Sequence, residues 1–265
     1  MIEQLSEQLD FAKGLAQEAG EIMLHHFQVG VANETKEHEG NTPVTVADTA
    51  INSLVIDAIK QQYPTHAVIG EEESYGQENA EYTWVCDPID GTIPYVMGVP
   101  TNVFSLAMVN NEGQPVVAVV YDPYMKRKYW ATKNGGAFLN DLPIHVNQVS
   151  KIENAYIGGS GGRSNVLKAA EFKGAVIAAC YRPMILSCVM YEAMLVASGQ
   201  MAATVFPGAG CHDAVSAKLI VEEAGGKVTD VFGNEQRYDK PIQGAIISNG
   251  LVHEGLVDLA NKYKL

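Results

Sequence analysis

The chain has 265 residues, of which 47% are apolar and 18% charged, and these values exclude a disordered or a fibrous protein. Its longest apolar runs are far shorter than the about 18 residues that span a bilayer, so we expect no membrane partner. The formal charge of −13 argues against nucleic acid as a partner, because phosphate backbones attract basic surfaces. The acidic excess is either a solvated surface or, in part, a cation site, and composition leaves both open.

The first residues and the cysteines indicate the cellular compartment. Residues 1–7 are acidic where a secretory signal peptide would be basic. The four cysteines contain no C-x-x-C pair, which favours free, buried thiols in a reducing compartment over a disulfide framework or a zinc site. We therefore expect a soluble, cytoplasmic protein.

The N-terminal part of the chain predicts two helices. Apolar positions recur at steps of three and four between residues 5 and 23, the period of a helix buried on one face. The polar segment 33–43 is predicted to be a loop. A second helix follows, with an apolar face over residues 51–59 and with Thr45 or Asp48 as its cap.

The remaining elements predict an α/β protein. Four β-branched or aromatic segments predict strands at Thr83–Cys86, Val103–Val109, Pro115–Tyr121 and Lys128–Thr132, with a hairpin turn at residues 111–113. The second half alternates between predicted strands near 154–158, 174–180, 202–206, 227–231 and 244–248 and predicted helices near 163–171, 187–198, 213–224 and 252–262. A boundary near residue 150 separates an α+β half, residues 1–150, from an α/β half, residues 151–265. The join has no flexible composition, so we expect the halves to pack as one unit.

Acidic residues follow two of the predicted strands. Glu71 follows the apolar segment 67–69 after a single glycine, although a solvated charge run is an alternative for Glu71 and its neighbours. In the segment 87–92, Asp-Pro-Ile-Asp-Gly-Thr, two aspartates three residues apart follow a buried strand. An Asp-Gly hairpin turn would explain Asp90 but leaves Asp87 unused.

The segment 87–92 is suited to a hard cation. Its proline stiffens the turn that holds both carboxylates, and Mg²⁺ takes oxygen ligands in an octahedron. The carbonyl of Ile89 supplies one more oxygen. The N–H groups of Gly91 and Thr92 open a helical turn at which phosphate binds.

Two further acidic residues precede predicted helices. Asp213 stands before an apolar helical segment, and Asp48 stands at the start of the second helix. Each is either a plain helix cap or part of a cation site. The adjacent His212 is either a ligand or an ordinary packed or surface histidine.

Together these segments closely resemble the inositol monophosphatase family. The resemblance rests on Gly70–Glu72, on the segment 87–92 and on Asp213 before a helix that ends in Glu223–Gly226. Further matching stretches are Tyr121–Pro123, Gly135–Asn140 and Leu195–Gly199, so the resemblance covers nearly the whole chain. It implies a layered αβαβα sandwich of the inositol monophosphatase and sugar phosphatase type, a homodimer, and a lithium-sensitive phosphatase that depends on Mg²⁺, with Mn²⁺ as an alternative.

The resemblance also implies a role for each matching residue. The implied ligands of two or three metal ions are Glu71, Asp87, the carbonyl of Ile89, Asp90 and Asp213. The implied catalytic residues are Asp48, Thr92 and Glu71, of which Asp48 and Thr92 polarise the attacking water. Carboxylates gathered this closely repel one another unless cations neutralise them, and two metal ions stabilise the attacking and leaving oxygens of an in-line displacement.

The alcohol-binding part of the family pattern is not matched. Ser187 occupies the place of a glycine, Phe206 that of an inositol-contacting glutamate, and His212 that of a tryptophan. Arg182 is a further candidate for substrate contact, with a surface arginine as the alternative. Arg163 ends a glycine-rich run that is either an anion-binding loop or a flexible one.

These observations leave three hypotheses open. The leading one is Mg²⁺-dependent hydrolysis of a small phosphate monoester, with inositol phosphate as the default substrate. The second is the same chemistry on histidinol phosphate, a sugar phosphate or a nucleotide 3′-phosphate. The third is a metal-binding or regulatory protein that has lost turnover.

Overall fold

The computed structural model describes residues 5–27, 34–36, 42–76, 80–159 and 166–263, which form seven α-helices and fourteen β-strands. The helices are α1 (Ser6–His26), α2 (Val46–Gln62), α3 (Thr92–Val96), α4 (Val166–Ala179), α5 (Val189–Ala197), α6 (Val215–Glu223) and α7 (His253–Tyr263). The strands are β1 (Glu34–Lys36), β2 (Thr42–Val44), β3 (Ala67–Gly70), β4 (Tyr82–Asp90), β5 (Val103–Asn110), β6 (Pro115–Asp122), β7 (Arg127–Thr132), β8 (Gly136–Leu139), β9 (Leu142–Pro143), β10 (Tyr156–Gly158), β11 (Arg182–Pro183), β12 (Ala203–Phe206), β13 (Lys227–Thr229) and β14 (Ala245–Ser248).

The larger sheet has seven strands in the order β3-β4-β5-β6-β7-β8-β9. Among its described strands only β3 and β4 run parallel; α3 and its flanking residues connect β4 to β5, and short turns join the antiparallel strands from β5 onwards. The turn between β5 and β6 is the predicted hairpin, in which Gly113 has a φ of +77° and donates to the carbonyl of Asn110 at 2.9 Å. Both faces of β5 and β6 are buried, which explains their continuous apolar sequences.

Helices cover both faces of this sheet and of a second one. The second sheet has five strands in the order β11-β10-β12-β14-β13. α1 and α2 pack on one face of the larger sheet, α5 and α6 lie between the two sheets, and α4 and α7 pack outside the smaller one. The layers are therefore α, β, α, β and α, and the predicted αβαβα sandwich is confirmed.

The first two predicted helices are also confirmed. α1 buries the positions that the sequence spaced at three and four, among them Leu9, Ala16 and Met23. At the start of α2, Thr45 and Asp48 form a reciprocal capping box, so both candidate caps act together.

Two predicted elements are wrong. All but the last residue of the strand predicted near 174–180 lies within α4, since Phe172 and Val176 are four residues apart on the buried face of a helix. The place beside β10 is taken instead by Arg182–Pro183. The loop predicted at 33–43 contains β1 and β2, which pair antiparallel.

The chain passes from the larger sheet to the smaller one between Pro143 and Tyr156. The apolar core between the sheets contains residues from both parts, such as Ala107 and Met190. The division into halves at residue 150 stays a prediction. Among the described helices, none combines the length and apolarity needed to cross a membrane.

Candidate active site

A β-bulge at the end of β4 places two carboxylates on one side of the strand. Asp87 pairs with Ser105 and Asp90 pairs with Val103, and the register shifts between these two pairs. In a regular strand, residues three apart face opposite sides. The extra residue of the bulge lets Asp87 and Asp90 converge.

The bulge brings together acidic residues from distant parts of the chain. Carboxylate oxygens of Asp87, Asp90 and Asp213 lie within 4.8 Å of one another. Ligand atoms of Glu71, Asp87 and His212 form a second group within the same distance. Asp87 belongs to both groups and is therefore the centre of the site.

The backbone around Glu71 is fixed by two hydrogen bonds. Glu71 donates its N–H to the carbonyl of Cys86 in β4 at 3.1 Å. Asn52 of α2 donates its side-chain amide to the carbonyl of Glu73 at 3.0 Å. Gly70 is required here, because a Cβ at this position would lie 2.2 Å from Oδ1 of Asn52.

The capping box of α2 orients Asp48. Oδ2 of Asp48 accepts the backbone N–H of Thr45 at 2.8 Å and its hydroxyl at 2.6 Å. Oδ1 of Asp48 is buried and accepts no hydrogen bond from the described residues. Asp48 thus takes part in the capping box of α2 and still has one oxygen available, so a capping role and a role in a cation site are compatible.

A tight turn connects Asp90 with α3. Gly91 has a φ of +91°, and a Cβ there would lie 2.9 Å from Cβ of Cys188 and 3.0 Å from the carbonyl of Thr101. Only glycine fits such a position without strain. The next residue, Thr92, begins α3 and donates its hydroxyl to the carbonyl of Ile89 at 3.2 Å.

The N-terminal end of α5 holds Asp90 from the other side. Met190 donates its backbone N–H to Oδ2 of Asp90, and the thiol of Cys188 donates to the carbonyl of Asp90 at 3.2 Å. Buried Glu192 anchors the preceding loop, since it accepts the N–H of Leu186 at 2.7 Å and the hydroxyl of Thr204 at 2.6 Å. Our sequence reasoning missed Glu192, although a lone acid within the apolar α5 was a visible indication.

Asp213 reaches the site from the turn before α6. The N-cap of α6 is Ala214, which makes no side-chain cap, so Asp213 is not the cap of this helix. Nε2 of His212 lies 3.6 Å from Oδ2 of Asp213. Both side chains fold over Gly210, where a Cβ would lie 2.4 Å from the Asp213 oxygen.

Comparison with known proteins identifies the family of the chain. The model of the inositol monophosphatase family matches residues 4–265. The chain belongs to the inositol monophosphatase family. It is 31% identical to an inositol monophosphatase from Mesembryanthemum crystallinum, with 96% of each chain covered, and 30% identical to a fructose-1,6-bisphosphatase/inositol-1-monophosphatase from Thermotoga maritima, with 97% of this chain and 96% of that one covered. It superposes on a T. maritima inositol monophosphatase structure with a TM-score of 0.86 at 28% identity, covering 97% of this chain and 98% of the other.

The protein is accordingly a phosphatase, and inositol monophosphatases are metal-dependent. Its carboxylates suit a cation. Burial first, and then Glu71 and the neighbouring aspartates, raise the pKa of Asp87 well above its ordinary value. Burial likewise raises the pKa of Asp48 and of Asp90 to about 7. Oδ1 of Asp87 is buried and accepts no hydrogen bond from the described residues, so it has the free lone pairs that a cation needs.

Cysteine chemistry is not part of this phosphatase site. All four cysteines are free, and burial raises the pKa of Cys86 and of Cys188 well above the ordinary thiol value. Both thiols therefore stay protonated and are poor nucleophiles.

The expected substrate contacts of this phosphatase occupy different environments. Ser187 is exposed directly before α5, in the left-handed region with a φ of +58°. Arg182 is exposed on the edge strand β11. Phe206 is only 3% exposed, and its ring packs over Gly208 within the apolar core. Arg163 lies outside the described residues, and the contacts of all four with substrate stay predictions.

Proposed function

We propose that this phosphatase hydrolyses small-molecule phosphate monoesters with Mg²⁺ as its cofactor, and that Mn²⁺ can replace it. The observation that carries the proposal is the place of Asp87 in two groups of ligand atoms, each within 4.8 Å. A carboxylate shared in this way suits two cations held side by side. The residues that would hold two or three ions are Glu71, Asp87, the carbonyl of Ile89, Asp90, Asp213 and, for the third, Asp48.

Bound Mg²⁺ would supply Lewis acidity, which activates a water for in-line attack on phosphorus and stabilises the departing alkoxide. Asp48 and Thr92 would orient that water, and Glu71 is the third residue expected to take part in catalysis. Oδ2 of Asp48 is held by Thr45, so Oδ1 is the oxygen that accepts a proton from the water. The hydroxyl hydrogen of Thr92 is directed to Ile89, so Thr92 offers the water a lone pair.

The phosphate group of the substrate would lie against the start of α3. The N–H groups of Gly91 and Thr92 belong to the turn at which this helix begins. Such groups have no intrahelical partner and suit an anion. The neighbouring carboxylates would repel a phosphate monoester until cations neutralise them.

Inositol phosphate is the default substrate, because the relative from M. crystallinum and the superposed structure from T. maritima are both inositol monophosphatases. Phe206, which is buried in the apolar core, nevertheless stands in the place of the family's inositol-contacting glutamate, and loss of that hydrogen-bond acceptor favours an ester with fewer hydroxyls. The alternatives are histidinol phosphate, a sugar phosphate and a nucleotide 3′-phosphate. Ser187, Arg182 and His212 are the side chains expected to contribute to the choice.

We also propose a homodimer in the cytoplasm. Met97, Val99 and Ile185 are exposed apolar side chains on two neighbouring loops, which are joined by a hydrogen bond of 3.3 Å from Thr101 to the carbonyl of Leu186. Contiguous exposed apolar surface is typical of a protein interface. The four free cysteines favour a reducing compartment. Light scattering coupled to gel filtration tests the dimer.

The decisive experiment measures release of inorganic phosphate with Mg²⁺ and with EDTA. The panel contains inositol 1-phosphate, histidinol phosphate, fructose 1,6-bisphosphate and a nucleotide 3′,5′-bisphosphate. We expect Mg²⁺-dependent release from at least one ester, with inhibition by tens of millimolar Li⁺ as the family resemblance implies. Equal release in EDTA, or no release from any ester, would contradict the proposal.

A further inference from the structure

A cavity of about 420 Å³ lies between α1 and the start of β7, and we call it the lysine cavity. Its walls include Lys13, Lys126, Lys128, Trp130, Asn140 and Asp141. β7 is three strands away from β4, a separation of roughly 14 Å across the sheet at about 4.8 Å per strand, and these wall residues are not among the carboxylates of the candidate active site. The lysine cavity is therefore a separate feature of the fold.

The charge of the lysine cavity is opposite to that of the protein. Three lysines face one volume in a chain with a net charge of −13. Among the described residues of the cavity wall, the one carboxylate is Asp141, whose side chain is 81% exposed and lies 3.5 Å from Nζ of Lys13. An ion pair this exposed is weak, so the cavity keeps an excess of about two positive charges.

Lys13 and Lys128 lie close enough for their positive charges to repel each other. Lys128 donates its ammonium group to the carbonyl of Lys13 at 3.2 Å. Burial and then the charge of Lys13 lower the pKa of Lys128. An anion between the two ammonium groups would relieve this repulsion.

The walls of the cavity are fixed by a polar network. The side chain of Asn140 donates to the carbonyl of Lys126 at 3.0 Å and accepts the N–H of Lys128 at 2.8 Å. Oδ1 of Asp141 accepts the indole N–H of Trp130 at 3.1 Å. The lysine backbones therefore have a defined position before any ligand binds, which lowers the cost of ordering on binding.

Both faces of Trp130 are already covered. The ring of Phe138 stacks on one face with a centroid separation of 4.1 Å and an angle of 13°. Nζ of Lys13 lies 3.6 Å from the indole centroid, and a group this close to the ring must occupy the opposite face. Tyr121 also lines the cavity, and Nζ of Lys128 lies 5.2 Å from the centroid of its ring, so lysine ammonium groups lie against both described rings and the cavity favours charge over an aromatic ligand.

We propose that the lysine cavity binds a compact multivalent anion whose phosphate or carboxylate groups lie close together. The volume suits a small metabolite rather than a single inorganic ion. Binding here does not depend on the proposed phosphatase reaction, because none of the lining residues belongs to the carboxylate site.

Tripolyphosphate is the probe that tests this proposal. The full-length protein is titrated in EDTA, with NaCl keeping the ionic strength constant, and binding is followed by calorimetry and by tryptophan fluorescence. Trp84 is fully buried and Trp130 lines the cavity, so a fluorescence change reports on the cavity. We expect saturable binding with one site per chain.

The variants Lys126→Gln and Lys128→Gln remove charge and keep side-chain length, and each should weaken binding at least tenfold. Lys60→Gln is the matched control, because Lys60 lies over the ring of Tyr75 on another part of the surface. The affinity of this variant for tripolyphosphate should stay within twofold of the wild type. Absence of saturable binding would overturn the proposal. Equal weakening by all three variants would also overturn it, since it would show binding by general charge alone.

Discussion

Met190 donates its backbone N–H to Oδ2 of Asp90, although the two residues are one hundred positions apart in the chain. This bond joins the start of α5 to the end of β4, so a helix between the two sheets orients a carboxylate of the site. The carboxylate is thereby prevented from turning away from Asp87 and Asp213 when cations are absent. The site is pre-organised by α5 as much as by β4, and several predictions depend on this.

Replacing Glu192 should loosen the loop that precedes α5. Glu192→Ala leaves the N–H of Leu186 and the hydroxyl of Thr204 without their carboxylate acceptor, at a cost of about 1–3 kcal/mol in the free energy of unfolding. We expect turnover to fall with it, because the same loop carries Cys188 and leads to Met190. Urea unfolding and phosphate release measure the two effects.

Glu192→Gln is the control for this change. Its amide oxygen accepts the Leu186 N–H, and the hydroxyl of Thr204 can rotate to accept from its NH₂ group. Stability and turnover should stay close to the wild type. Wild-type turnover in Glu192→Ala would show that the loop does not position Asp90.

Gly91→Ala should damage both stability and activity. The left-handed backbone alone costs roughly 1–2 kcal/mol for a residue with a Cβ. At Gly91 the added atom also meets Cys188 and Thr101, which overpacking values put at about 1–3 kcal/mol more. Displacement of Thr92 should lower turnover as well.

Gly250→Ala separates the two causes. Gly250 has a φ of +83° and no described atom within 4 Å of a Cβ, so only the backbone cost applies. This variant should lose less stability and keep full activity. If Gly91→Ala behaved in the same way as Gly250→Ala, the tight packing of the turn would be unimportant.

Thr45→Ala should affect Asp48 through the capping box. The variant loses the hydroxyl that donates to Oδ2 of Asp48, and loss of an N-cap costs about 1 kcal/mol. Turnover should fall because Asp48 is then free to rotate. Thr45→Ser restores the hydroxyl, and both the stability and the turnover should return toward the wild-type values. If Thr45→Ser did not restore turnover, the capping hydroxyl would not be what orients Asp48 for the reaction.

The metal-free protein should lose stability as pH rises. The pKa of Asp90 is raised from 3.8 to about 7 in the folded state, mainly by burial. The folded state therefore keeps its proton to higher pH than the unfolded chain, and the stability this provides is complete below about pH 4 and is lost as pH rises through 7. Urea unfolding in EDTA at pH 5, 6.5 and 8 measures the loss.

Asp90→Asn isolates this contribution. As pH rises, the free energy of unfolding of Asp90→Asn should increase relative to that of the wild type. Added Mg²⁺ at pH 8 should stabilise the wild type much more than the variant. Asp57→Asn, on the exposed face of α2, should show no such difference. If the difference in the free energy of unfolding between wild type and Asp90→Asn did not change with pH, the raised pKa of Asp90 would be wrong.

The sequence predicted the parts of the site that depend on local order. The segment 87–92 combines a buried strand, a proline and a glycine, and it forms the strand end and turn that this order indicates. The β-bulge was not predictable, because it depends on how β4 pairs with β5. Asp213 could be connected with Asp87 only through the family resemblance, since the folding of distant segments brings them together.

The errors have a similar origin. An apolar segment such as 174–180 is compatible with a strand or a buried helix, and only the packing of Phe172 and Val176 decides between them. Glu192 was missed because an isolated acid in a helix is ordinarily a surface residue. Its partners, Leu186 and Thr204, become apparent only in the folded structure.

The most direct test of the metal-site assignment is the turnover of Asp90→Asn with saturating Mg²⁺ on the best ester of the panel. Partners outside the ligand set of a metal typically contribute about 10–100-fold, so loss of a ligand should lower turnover by at least about 100-fold. Asp57→Asn should retain wild-type turnover, and the circular dichroism spectra of both variants should match the wild type. Near-normal turnover in a folded Asp90→Asn protein would contradict the role given to these carboxylates.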